Sequence, residues 1–150
     1  MKQYRFGFSL EGFLTFALAM LPNIIWALMP PANDVLSIIR IAFPVWDMIA
    51  SGSQWLMIAA LVLLIRQGTG NEKRSKLLFW VFAACLAGYY LFWVLYYAGV
   101  INPWLFIGMA VLPAVYFVLA ALWLKNHIAL VSAALFGVMH IAITCVTYLK

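Results

Sequence analysis

Three polar residues recur every seven positions along an otherwise apolar stretch: Arg40, Asp47 and Gln54. On a helix, seven steps drift by only about 20°, so the three form one stripe. Ser51 lies four residues after Asp47 and falls beside that stripe. An acid flanked by an amide and a hydroxyl suits a bound cation or proton. The carboxylate supplies charge, and the neutral groups orient what it holds. A second set, His140, Thr144 and Thr147, has the i, i+4, i+7 spacing of one helix face. Asn23 and Trp26 add an amide and an indole one helical turn apart. Tyr89, Trp93 and Tyr96 make one aromatic face, with Tyr90 and Tyr97 on a second. Ring faces around one carboxylate suit a cationic or amphipathic guest. The candidate ligand-binding residues are therefore Asn23, Trp26, Arg40, Asp47, Ser51 and Gln54 from the first half of the chain. Tyr89, Trp93, Tyr96, His140 and Thr144 come from the second.

Each of these residues also has a purely structural use. Asp47 could pair with Arg40, two helical turns or about 10 Å away, and so lock its segment. His140 could be a packing histidine, and the Thr144 and Thr147 hydroxyls could bond their own helix carbonyls. The aromatic face could be packing and interfacial belt. Asp34 reads as a helix cap, and Glu11, near Arg5, as an anchor at a span boundary.

Several chemistries lack their residues. GTGN at 68 to 71 is not a phosphate-binding loop. Asp47 and His140 alone are too few for a metal site. Ser51, His140 and Asp47 have no spacing that makes them a nucleophile–base set. No catalytic residues, metal or cofactor are expected. Cys85 and Cys145 fall at different depths and do not form a disulfide framework.

These side chains must be positioned by elements that live in lipid. Of 150 residues, 68% are hydrophobic and 9% charged, with mean hydropathy +1.06. A soluble domain is about 45–50% apolar and about 25% charged. Apolar runs of about 18 residues or more indicate membrane spans, and five are expected: 12–29, 45–65, 77–98, 104–124 and 128–149. The runs are long and lack period-two alternation, so strands are not expected. The first run, longer than the apolar core of a signal peptide (about 7–15 residues), reads as a retained helix.

Residues 34 to 65 are 32 positions, roughly 48 Å as a helix against a hydrocarbon core of about 30 Å. Pro44 lies inside them and cannot donate to the carbonyl of Arg40. The reading is a short outer helix at 35–43, a kink at Pro44, and the span proper beyond it.

Loop charges set the direction. Lys2, Arg5, Arg66, Lys73, Arg74, Lys76 and Lys125 fall on one side of a chain that weaves five times; only Arg40 and Lys150 fall on the other. By the positive-inside rule the N-terminus is cytoplasmic and the C-terminus external. Asn23, Asp47, Ser51, His140 and Thr144 then share the external half.

The stretch LPNIIWALMPPANDVL, residues 21 to 36, resembles small bacterial multi-pass membrane proteins of no assigned activity, and implies location but no chemistry. Five helices in about 150 residues is also similar in size to the translocator-protein family. MPPAND does not reproduce that family's Trp-Pro-Pro loop, so none of its binding residues is carried over.

The expectation is an all-α integral membrane protein, one five-transmembrane-helix bundle over residues 1–150, in the cell membrane, as in a bacterial inner or plasma membrane. Its partners are the lipid bilayer and a small hydrophobic or cationic ligand, not nucleic acid. The basic residues lie between the apolar runs and serve topology. The alternative is a structural or accessory subunit whose polar cluster only locks the bundle. Ala84-x-x-x-Gly88 and Ala129-x-x-x-Ala133-x-x-x-Gly137 allow close helix approach, within the bundle or toward a homodimer or another membrane protein.

Overall fold

The computed structural model describes residues 4–38, 44–67 and 74–149. Five helices are long and apolar enough to cross a membrane: α1 (Leu10–Leu28), α2 (Pro44–Leu63), α3 (Lys76–Tyr97), α4 (Pro103–Trp123) and α5 (His127–Tyr148). At 19 to 22 residues they measure about 28–33 Å. Ser9, Ser75, Asn102 and Asn126 cap α1, α3, α4 and α5, each side chain accepting from a backbone N–H three residues on. Pro44 opens α2, where a missing N–H costs nothing. Of the expected outer helix, the described part is a single 3-10 turn at Leu36–Ile38. The kink expected at Pro44 depends on residues 39–43, which, with Arg40 among them, lie outside the described residues.

α4 packs between α3 and α5, and α5 in turn against α2. α1 completes the ring, lying mainly along α2 and touching α3 and α4 more lightly. Small residues set the spacing where backbones approach. Ala129, Ala133 and Gly137 are buried on α5, and a Cβ at Gly137 would sit 3.0 Å from that of Ala114. Gly88 packs against Leu112 in the same way.

The five runs are helices and not spanning strands, as expected, but the second, expected to run to 65, stops at Leu63. Residues Leu64–Arg66 leave the helix and form β2, antiparallel to β1 (Tyr4–Phe6), with Arg5 opposite Ile65. The hydropathy of the run gave no sign of this, because the partner that supplies the ladder lies some 60 positions away. Gly7 and Ser9 extend the pairing by donating to the carbonyls of Leu63 and Val62.

This end of the bundle is stitched further. The Asn126 amide donates to the carbonyls of Ala60 and Leu64, and the N–H of His127 donates to the Tyr4 hydroxyl. Glu11, expected beside Arg5, instead pairs with Arg74 at 2.7 Å. The Arg74 guanidinium also lies 4.5 Å from the Trp123 ring. The N-terminus, the α2–α3 connection and the α4–α5 turn therefore share one end, the ribbon end. The α3–α4 turn at the far end closes on Gly99, whose φ of +86° an L side chain resists.

Two buried clusters fill the interior. Met57, Leu61, Tyr116, Phe117 and the small residues of α5 pack toward the ribbon. Tyr89, Trp93, Tyr96, Leu105 and Phe106 pack at the far end. Large apolar side chains, among them Trp55, Leu77, Trp104 and Val131, stand exposed on the outward faces. Trp46, Ile49, Leu56 and Leu63 also face outward. So much contiguous apolar surface suits hydrocarbon rather than water. Both cysteines are free.

Candidate functional site

Between the two clusters, toward the far end, lies a cavity of about 410 Å3, within the range of small-molecule sites. α1 contributes Asn23 and Trp26, and α2 contributes Asp47, Ser51 and Gln54. From α3 come Tyr89 and Trp93, and from α5 His140, Thr144 and Thr147. Nine of the eleven sequence candidates therefore line one space. The exceptions are Arg40, outside the described residues, and Tyr96, which does not line it.

Its polar groups fall into two kinds. Some are engaged within the protein. The Asn23 amide donates to the Tyr89 hydroxyl at 2.8 Å, and the Trp26 indole N–H donates to Asp34 Oδ1 at 3.0 Å. Thr144 and Thr147 donate to the carbonyls of His140 and Ile143 in their own helix, the structural use weighed for them above. The others keep their capacity. Among the described residues, the Asp47, Ser51 and Gln54 side chains have no hydrogen-bond partner. The His140 ring stacks on Phe136, centroids 5.1 Å apart. Trp93 Nε1 and the Tyr148 hydroxyl are buried with no partner among the described residues, and both line the cavity.

Buried polar groups are almost always satisfied. Trp93 Nε1 and the Tyr148 hydroxyl are the groups to which this applies, whereas Asp47 and Gln54 are half-buried and Ser51 is exposed. Pro113 in α4 has no N–H to give the carbonyl of Met109, and both residues line the cavity. A helix-interior proline was visible in the sequence, and so was Tyr148, one turn beyond Thr144. Neither was singled out, because both read as ordinary span residues until the fold set them beside Asp47.

Tyr96 and Asp34 change roles. Asp34, expected as a helix cap, accepts from the Tyr96 hydroxyl at 2.6 Å as well as from Trp26. The same hydroxyl accepts from the N–H groups of Val35 and Leu36 at 2.9 and 3.2 Å. These bonds make a partly buried tie between α3 and the α1–α2 connection. That connection brings Leu36 to the cavity wall.

Desolvation alone would raise the Asp34 carboxyl. The hydrogen bonds from Tyr96, Trp26 and Ser37 together outweigh it and hold the group below its ordinary value of 3.8. A folded-state pKa below the unfolded one stabilises the fold above the unfolded value, and that gain disappears as pH falls through the folded one. Melting temperature should therefore fall on acidification below about pH 3.8, and Asp34→Asn should flatten that part of the profile.

Bundle and cavity together define a chain of five helices apolar enough to cross a membrane, with a partly open cavity among them that carries one acid. Comparison with protein families, curated proteins and solved structures finds no match. The chemistry of the cavity therefore rests on its own residues.

Proposed function

We propose that the protein is a multi-pass cell-membrane protein that binds or transports a small hydrophobic or cationic ligand in this cavity. Its N-terminus is cytoplasmic and the cavity lies in the external half. The orientation is supported by charge: every described Lys and Arg (Arg5, Arg66, Arg74, Lys76 and Lys125) belongs to the ribbon end. The single observation that carries the function is Asp47, an intramembrane acid without a hydrogen-bond partner among the described residues, in a cavity lined by both aromatic and aliphatic side chains. Such an acid marks a site more often than a surface. Asp47 holds the charged part of the guest, Gln54 and Ser51 orient it, and Tyr89, Trp93 and Phe106 enclose the rest.

The rival, a structural or accessory subunit, draws on a different observation. Asn23 is tied to Tyr89, and Trp26 and Tyr96 are both tied to Asp34, so that two sets of hydrogen bonds join the elements of the far end.

Ligand-induced thermal stabilisation separates the two. A panel of hydrophobic amines should contain compounds that raise the melting temperature of wild type. Asp47→Asn should weaken them about tenfold or more, since a hydrogen bond to a charged group contributes about 1.5–3 kcal/mol. No stabilising compound, together with a sharply lower melting temperature for Asp47→Asn itself, would establish the structural reading.

A further inference from the structure

Trp93 lines two spaces. Besides the polar cavity, it borders an apolar groove of about 280 Å3 formed by Leu21, Pro22 and Ile25 of α1 and Tyr90, Val94 and Tyr97 of α3. The groove offers hydrocarbon only, because its hydroxyls are spent on α1. Pro22 cannot donate to the carbonyl of Leu18, and the Tyr90 hydroxyl donates to it instead at 2.6 Å. The Tyr97 hydroxyl donates to the carbonyl of Met29 at 2.9 Å. Leu21, Ile25 and Val94 are exposed by 46%, 46% and 64% on helices long enough to cross a bilayer. A groove on those faces opens to lipid tails.

The partition between the two spaces is the Trp93 indole. Rings of Trp26, Tyr89, Tyr96 and Tyr97 surround it at centroid distances of 5.9 to 6.4 Å. Its N–H has no partner among the described residues. The indole is thus packed mainly by rings, beside Tyr89, whereas hydrogen bonds tie the Tyr90 and Tyr97 hydroxyls to α1. It stands where α1, the helix completing the ring, meets α3.

Resting on the reading of the cavity as a binding site, we propose that its guest is a single-chain amphiphile with a cationic head. The amphiphile enters from the bilayer between α1 and α3 by displacing the Trp93 indole. Its head reaches Asp47 and its chain lies in the groove. The match is one of polarity: a carboxylate and unused polar groups on one side of the indole, hydrocarbon on the other. Lateral entry also keeps the chain in hydrocarbon throughout, since lipid tails and the groove walls are equally apolar. Entry from water would first have to strip the chain from the membrane.

The test uses the full chain in phosphatidylcholine nanodiscs and two probes: hexadecylamine carrying a mid-chain diazirine, and propylamine as a head without a chain. After illumination, peptide mapping should find the label concentrated on α1 and α3 at the groove. Val94→Trp, which fills the groove from an exposed position, should lower that labelling about tenfold at unchanged melting temperature. Asp47→Asn should lower it comparably. Leu21→Trp fills the groove from the opposite wall and replaces Val94→Trp if that variant melts early. Propylamine should stabilise wild type and Val94→Trp alike, and neither effect should survive in Asp47→Asn.

Label spread evenly over the outward faces and indifferent to Val94→Trp would place the chain in bulk lipid and overturn the proposal. If propylamine binds through Asp47 but hexadecylamine labels no groove residue, the amphiphile fails and the cavity reading stands. If neither probe binds, both fall.

Discussion

Replacing Gly12 by alanine should destabilise the protein by about 3 kcal/mol or more, at the upper end of overpacking costs, and replacing it by leucine should leave little folded protein. A Cβ at Gly12 would overlap the carbonyl oxygen of Leu61 and lie 2.6 Å from its carbon. The obstacle is backbone, so no rotamer change relieves it. α1 cannot simply move away, because Gly7 and Ser9 are hydrogen-bonded to Leu63 and Val62 at 2.9 and 2.8 Å just before the helix begins. The Ser9 hydroxyl that caps the N–H of Gly12 would also be crowded, at 3.1 Å. Small residues at such crossings are what let membrane helices associate where the hydrophobic effect does not drive them together. Thermal denaturation in a mild detergent is the measurement. A melting temperature for Gly12→Ala equal to that of wild type would show that α1 and α2 do not pack this closely.

Tyr96→Phe should cost about 3 kcal/mol, although one oxygen is all that it removes. That oxygen donates to the Asp34 carboxylate and accepts from the N–H groups of Val35 and Leu36. The substitution deletes a charge-assisted bond and strips two backbone donors of their acceptor, while the phenyl ring still fills its site. The consequence reaches the cavity, since the released connection carries Leu36 and the Trp26 anchor on Asp34. Asp34→Asn should cost less, and the double variant less than the sum of the two, as expected for partners in one network. Additive losses would mean that the hydroxyl and the carboxylate act separately.

The site was partly legible because helices have a fixed period and membrane spans a nearly fixed length. Asp47, Ser51 and Gln54 follow from spacing alone on one helix. Asn23, His140 and Thr144 follow from depth, since each helix crossing reverses direction and matches positions across spans. Neither rule says how a side chain spends its hydrogen bonds. The Tyr96 hydroxyl could equally have faced the cavity. It turns to Asp34 because the α1–α2 connection folds back over the end of α3, a contact across 62 positions.

Composition and the length of its apolar runs were thus enough to determine five long apolar helices, the end at which the described basic residues gather and the helix face that carries Asp47, because these depend on local chemistry and counting. Tertiary structure alone decided that α2 gives way to a strand at Leu64, that Gly12 rather than a recognisable small-residue stripe governs the α1–α2 crossing, and that Trp93 separates a polar cavity from an apolar groove. Each of these depends on which distant surfaces meet. Packing in three dimensions selects those pairings, and hydropathy, which treats every apolar residue alike, carries no record of the choice.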